Sequence, residues 1–393
     1  MTSTMVRRSA IYAILGRLHG CFFIQNFHGK SLRNAKVTCK TRYTFYSFLW
    51  FAVYIFIETL FSIRFAYVIK NISDALSRSL MLVVLCVVAV KLTTNLAVMF
   101  TKPDQLLAFF RNSEAFETKT GFSARSYSLL HSAAHRWNAV RALAAFMGLV
   151  MYFSLAEWFI MVELRQSVPT QWSVPVGILG FFMGTGFILY DSLSYFFLRN
   201  CTNVLIEYIQ VQVEGFQEAG KWKNFHFQPD APLQIEAMRL RINKIRKLKE
   251  TLNDIWAGTL IVACAGTVII DCIVVDAVFH DGIKKELWLG AGYSMYSSLC
   301  FIDLAYTGQA LVDEVRKIKS KILMVPAFGA PDTYLQQLRY LHESVDPEGM
   351  CFDVGGFFVL NKSLVLSMIG SVIIFGVILV QTSNSVTFKI NAT

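Results

Sequence analysis

The chain has 393 residues, of which 54% are hydrophobic and only 16% charged, with a mean hydropathy of +0.46. A soluble domain carries about a quarter charged residues, so this composition excludes most soluble folds. The net charge of +10 and pI of 9.2 do not call for a nucleic-acid partner, because membrane proteins gather Lys and Arg in cytoplasmic loops.

The N-terminal residues 1–42 hold eight Lys or Arg and no carboxylate. Arg17 and His19 interrupt any apolar signal region there, so no cleaved leader is expected and the first apolar block takes on targeting. The apolar sequence then arrives in long blocks, as a bilayer demands when each helix needs ~20 apolar residues to cross. The predicted spans are roughly 44–64, 80–101, 139–161, 173–198, 255–278, 287–310 and 355–382. Strict alternation is absent, which argues against a barrel, the other structure that satisfies its backbone in lipid. The expected fold is an all-α membrane protein with seven transmembrane helices, read as one domain over 1–393, with 1–43 as a cytoplasmic N-terminal segment.

Direction follows from the positive charges. Segments 1–42, 102–138, 199–254 and 311–349 fall on one side and contain 27 Lys and Arg, against 6 on the other. Positive loops stay inside, which puts the N-terminus in the cytoplasm and the C-terminus outside. Two glycosylation sequons, Asn71-Ile72-Ser73 and Asn391-Ala392-Thr393, both fall on the outer side. No cysteine lies in an outer loop, so no structural disulfide is expected.

The inner segments carry helical patterns of their own. Ile235, Met238, Ile242 and Ile245 recur at three- and four-residue spacing, the mark of an amphipathic helix, and nothing breaks it before the fifth span. Leu311, Val315, Ile318 and Ile322 continue the sixth span in the same way, and 199–219 continues the fourth. At 1.5 Å per residue, fifteen residues add ~22 Å. Three spans are thus expected to project past the membrane and pack as an anchor bundle, the alternative being helices lying on the inner leaflet.

No enzyme motif is present: the chain has no HExxH, Walker loop or GxSxG. His131 and His135 have metal-pair spacing but lack a matching third ligand, so neither a metal nor a cofactor is expected. Ionisable groups inside spans carry more information, since a charge at the bilayer centre costs about 2.5–3.5 kcal/mol even on insertion scales. Lys91 lies near the middle of the second span, Glu157, Asp271 and Asp276 in outer halves, and Asp191 and Asp303 in inner halves. One reading has each pair with a neighbouring helix and hold the bundle in register. The other groups Tyr152, Glu157, Trp158, Asp271, Asp276, Trp288, Tyr293 and Tyr296 as an outward-opening small-molecule pocket, with Trp158 and Trp288 alternatively serving as interface anchors.

The last span is rich in small residues, among them Gly355, Gly356, Ser363, Ser367, Gly370, Ser371 and Gly376, and Gln381 ends its apolar run. Ile374, Val377, Ile378 and Gln381 fall on one helical face. Such a helix suits either a close-packed pair or the wall of a narrow pore gated by dewetting.

Here the sequence resembles the insect gustatory receptors, relatives of the odorant receptors and their co-receptor. The family's last span carries Thr-Tyr, five hydrophobic residues and Gln-Phe. The matching stretch is Ile374, Phe375, Gly376 to Val380, Gln381 and Thr382, in which Gln381 and the apolar run agree and Phe375 stands for Tyr. Ile374 and Thr382 depart from the pattern. Gly356, Phe357, Leu360 and Asn361 match the approach to that span. The resemblance implies a homo- or heterotetrameric, ligand-gated, non-selective cation channel of the plasma membrane, opened by a small-molecule tastant. Four last helices would line its pore, with Ile374, Phe375, Val377, Ile378 and Gln381 at the gate, and the cytoplasmic ends would join related receptor subunits. A receptor coupled to a G protein would need the opposite orientation, and a transporter would often show internal repeats.

Overall fold

The computed structural model describes residues 3–27, 31–37, 42–70, 75–122, 148, 173–219, 231–281, 285–325 and 330–390. Ten α-helices carry these residues: α1 (Thr4–Leu18), α2 (Arg42–Lys70), α3 (Ala75–Thr101), α4 (Pro103–Thr120), α5 (Ser173–Asp191), α6 (Leu193–Ala219), α7 (Ala231–Asp281), α8 (Lys285–Leu323), α9 (Asp332–Ser344) and α10 (Lys362–Ile390). Two short antiparallel ladders join them, Ile24–Gln25 with Lys36–Val37 and Asp353–Val354 with Phe358–Val359. Two described helices contain stretches long and apolar enough to cross a membrane alone, Arg78–Thr101 and Ala231–Val278, and α5 with α6 adds a third if the bent pair is one span. Most of the third predicted span, both sequons and the His131–His135 pair lie outside the described residues.

The expected bundle forms. Segment 235–249 and the fifth span are one unbroken helix, α7, and the sixth span runs without a break through 311–323 as α8. Ile235, Met238, Ile242 and Ile245 are all buried, as are Leu311, Val315, Ile318 and Ile322. They meet Val204, Leu205, Tyr208 and Ile209 of α6 in one core. Trp256 closes that core, fully buried and stacked on Phe197 with ring centroids 5.9 Å apart. At its rim Lys249 sits 5.7 Å above the Phe352 ring, and burial pushes its ammonium below the ordinary lysine range.

The N-terminal segment is more than a tether. Helix α1 packs between α4 and α6, and its first turn is held by a carboxylate from another helix. Thr4 and Met5 donate their backbone N–H groups to Glu117 at 2.7 and 3.1 Å, and Tyr208 donates its hydroxyl to the same group. A negative charge at a helix N-terminus satisfies free amides and faces the positive end of the helix dipole.

Two predicted spans need correction. The stretch 173–198 is not one helix, since α5 and α6 meet at a 56° bend around Ser192. The physical reason is Asn95, whose Nδ2 donates to the carbonyls of Tyr190 and Asp191 at 2.9 and 2.8 Å. A side chain inserted into the helical ladder is a recognised cause of a kink. The last helix, predicted over 355–382, begins only at Lys362 and runs to Ile390. Its predicted first turns are a hairpin instead, because Gly355 and Gly356 adopt φ of +62° and +80°, the left-handed conformation that lets the chain reverse tightly within the three-residue loop 355–357. A Cβ on Gly355 would lie 2.2 Å from Ile261. Asn361 then caps α10 by accepting from the Leu364 N–H at 2.9 Å.

Candidate functional site

The bend at Ser192 sits beside an extended buried polar cluster. Lys91 of α3 lies 3.0 Å from Asp191 Oδ2, 3.2 Å from Ser297 Oγ and 3.4 Å from the Tyr293 hydroxyl. Its three ammonium protons are thereby matched. Tyr293 donates to the second Asp191 oxygen at 2.7 Å, Thr267 and Ser297 hydroxyls pair at 3.0 Å, and Tyr296 pairs with Ser192 at 2.6 Å. Lys91 and Asp191 are both buried. A buried pair withstands its desolvation only when hydrogen bonds complete it, and here they do. A second pair, Arg199 with Asp303 at 2.8 Å, takes a further bond from Tyr195 at 3.0 Å. Lys91, Asp191 and Asp303 each pair with a residue of a neighbouring helix, as one of the two readings of the in-span charges expected.

Tyr293 and Tyr296 therefore face inward, with Ile270 and Cys300 as apolar neighbours, and spend their hydroxyls on the bend. Gly148 backs onto Tyr296 so closely that a Cβ there would stand 3.0 Å from its ring. Asp271 is drawn to a different place. It accepts hydrogen bonds from Ser294 and, at 2.6 Å, from Ser298 of α8. It lines a half-open crevice of about 140 Å³ with Thr267, Phe301, Ile302, Met368 and Val372. Asp276 is buried one turn further along α7. Trp288 belongs to the first turn of α8, but its side chain lies outside the described residues, as do Tyr152, Glu157 and Trp158 entirely. Of the described residues of the predicted pocket, Tyr293 and Tyr296 thus join the polar network, Asp271 lines the crevice, and Asp276 is buried on α7.

The crevice places α10 on one side. Val365 and Gly376 are buried, Met368 packs on the core and Val372 is half-buried, giving α10 an inward stripe. Gly376 lies against α7 so tightly that a Cβ would meet Val275 at 2.9 Å. Ile374, Val377, Ile378 and Gln381 occupy the opposite side and are exposed in the single chain, as is Phe375. Ser192, Asn95 and Ser297 were not singled out in the sequence. Their contribution depends on partners about 100 or more residues away, which no local pattern reveals.

No family model and no curated protein matches the sequence. Solved structures do match. The insect olfactory receptor OR5 from Machilis hrabei, in complex with eugenol, superposes with a TM-score of 0.67 at 12% identity, covering 96% of this chain and 97% of that one. A second structure of the same receptor gives 0.67 over 95% and 97%. The fold is that of the insect olfactory receptors. Within the olfactory receptor fold, the helix break, the two ion pairs and the exposed stripe on α10 are set by this chain's own residues.

Proposed function

We propose that this chain is a subunit of a ligand-gated, non-selective cation channel of the insect chemoreceptor family, of the gustatory type, in the plasma membrane. The observation that carries the reading is a likeness to an insect olfactory receptor across 96% of the chain, joined to the Gln381 pattern in the last helix. The matched receptor was solved with eugenol, which supports a small organic ligand here. The expected topology has seven spans, a cytoplasmic N-terminus and an outer C-terminus, and its support is the count of 27 positive residues against 6. In this arrangement the packed ends of α6, α7 and α8 form a cytoplasmic anchor, and four copies of α10, from identical or related subunits, surround the pore. The exposed face of Ile374, Val377, Ile378 and Gln381 supports that placement, because it points away from the chain's own core.

A ligand shifts such a channel only through its differential affinity for the open state. Calcium imaging of cells expressing the chain, challenged with sugars, alkaloids and volatile aromatics, tests the activity. Evoked calcium entry with altered conductance or ion selectivity in Gln381→Ala is the expected result. A Gln381→Ala channel with wild-type currents at all voltages would remove α10 from the pore. Epitope tags at both ends, read before and after permeabilisation, test the orientation, and an N-terminal tag accessible on intact cells would overturn it.

A further inference from the structure

We infer that the crevice between α7, α8 and α10 binds a small amine carrying one ring-sized apolar body. The three in-span carboxylates whose partners are described above differ in one respect. Asp191 holds Lys91 and Asp303 holds Arg199, whereas among the described residues Asp271 holds two serine hydroxyls and no cation. An ionised carboxylate offers about four acceptor positions, and the two serines leave room for further donors from the crevice side. In an apolar setting, a charge without a partner is costly, and a protonated amine supplies both the missing charge and the missing donors.

Size and wall chemistry fix the rest of the ligand. The crevice measures about 140 Å³, close to the ~150 Å³ of an apolar cavity that accepts benzene. Thr267, Asp271 and Ser298 form its polar wall, facing Phe301, Met368 and Val372. A few aimed polar groups in an otherwise apolar lining are the usual make-up of a small-molecule site. Since α10 forms one wall and bears the exposed stripe on its other side, an occupant would displace the stripe. That consequence rests on the channel reading; the binding itself does not.

The experiment is a thermal-shift titration of the full-length chain, purified in dodecyl maltoside at neutral pH, with benzylamine, benzyl alcohol and toluene. Benzylamine is expected to stabilise the wild-type chain most strongly. Its dissociation constant should rise about tenfold or more in Asp271→Asn, as for loss of a charge-assisted bond, while toluene's effect stays unchanged. Val372→Phe, which fills the crevice without touching the carboxylate, should abolish the benzylamine shift and serves even if Asp271→Asn fails to fold. An equal benzylamine shift in either variant, or none in the wild type, overturns the site. Whole-cell currents separate the two readings: benzylamine binding without any evoked current sinks the channel and leaves the site standing, and currents without benzylamine binding do the reverse.

Discussion

Helix α7 has other helices against it along its length, and one of them, α10, is itself only partly covered. Helices α3, α4, α6, α8 and α9 all pack on it, and toward Ala231 its Ile235-to-Leu260 stripe is buried. Toward Asp281 the last helix meets it where Gly376 faces Val275, and on that helix Leu366 is 70% and Ile374 61% exposed. Large apolar side chains left open in a row ask for lipid or another protein surface. The bundle end is therefore completed within one chain, whereas the last helix is completed only by its surroundings. Stability should reside in the first region, and functional change should be tolerated in the second.

That contrast can be broken by substitution. Trp256→Ala removes a fully buried ring from the bundle end and should cost about 3–5 kcal/mol, read as loss of surface expression and a collapsed melting transition in detergent. Lys91→Met leaves Asp191 buried without its cation, for a cost also near 3–5 kcal/mol. Pairing it with Asp191→Leu should recover most of the loss in the same melt, and no recovery would mean that the pair is not coupled. Glu117→Gln keeps the shape but removes the charge that caps α1, so about 1–2 kcal/mol should be lost, seen as faster proteolysis near the N-terminus. Ile374→Ala should alter stability by no more than about 0.5 kcal/mol while changing ionic currents. A melt as damaged as that of Trp256→Ala would end the distinction between the two regions.

The sequence was most readable where burial repeats with the helical period. The four-residue sets beginning at Ile235 and Leu311 faced the core as their spacing required. Helix α1 was hidden because its buried positions include Thr4, Ser9, Ala13 and Gly16, while Ile11, Ile14 and Leu18 are exposed. Its apolar stripe therefore marks the wrong face. The site was legible only by residue type. A helix apolar all round gives no sign of which flank turns inward, so Tyr293 and Asp271 were grouped together although they face different neighbours. The break at Ser192 depended on Asn95 from another helix. The approach to α10 has a local physical reason: two glycines allow the turn, and Asn361 starts the helix.

The unbroken length of α7 has a mechanical consequence. Its 51 residues form a rod of about 76 Å at 1.5 Å per residue. Pivoting such a rod by about 5° about its midpoint carries each tip ~3 Å, roughly the width of one atom layer. The contact of Gly376 with Val275 lies near one tip of this lever, and the bundle stripe lies along the opposite arm. A small sideways push at the crevice would thus arrive at the far end as a displacement of similar size and opposite sense, with no loop in between to absorb it.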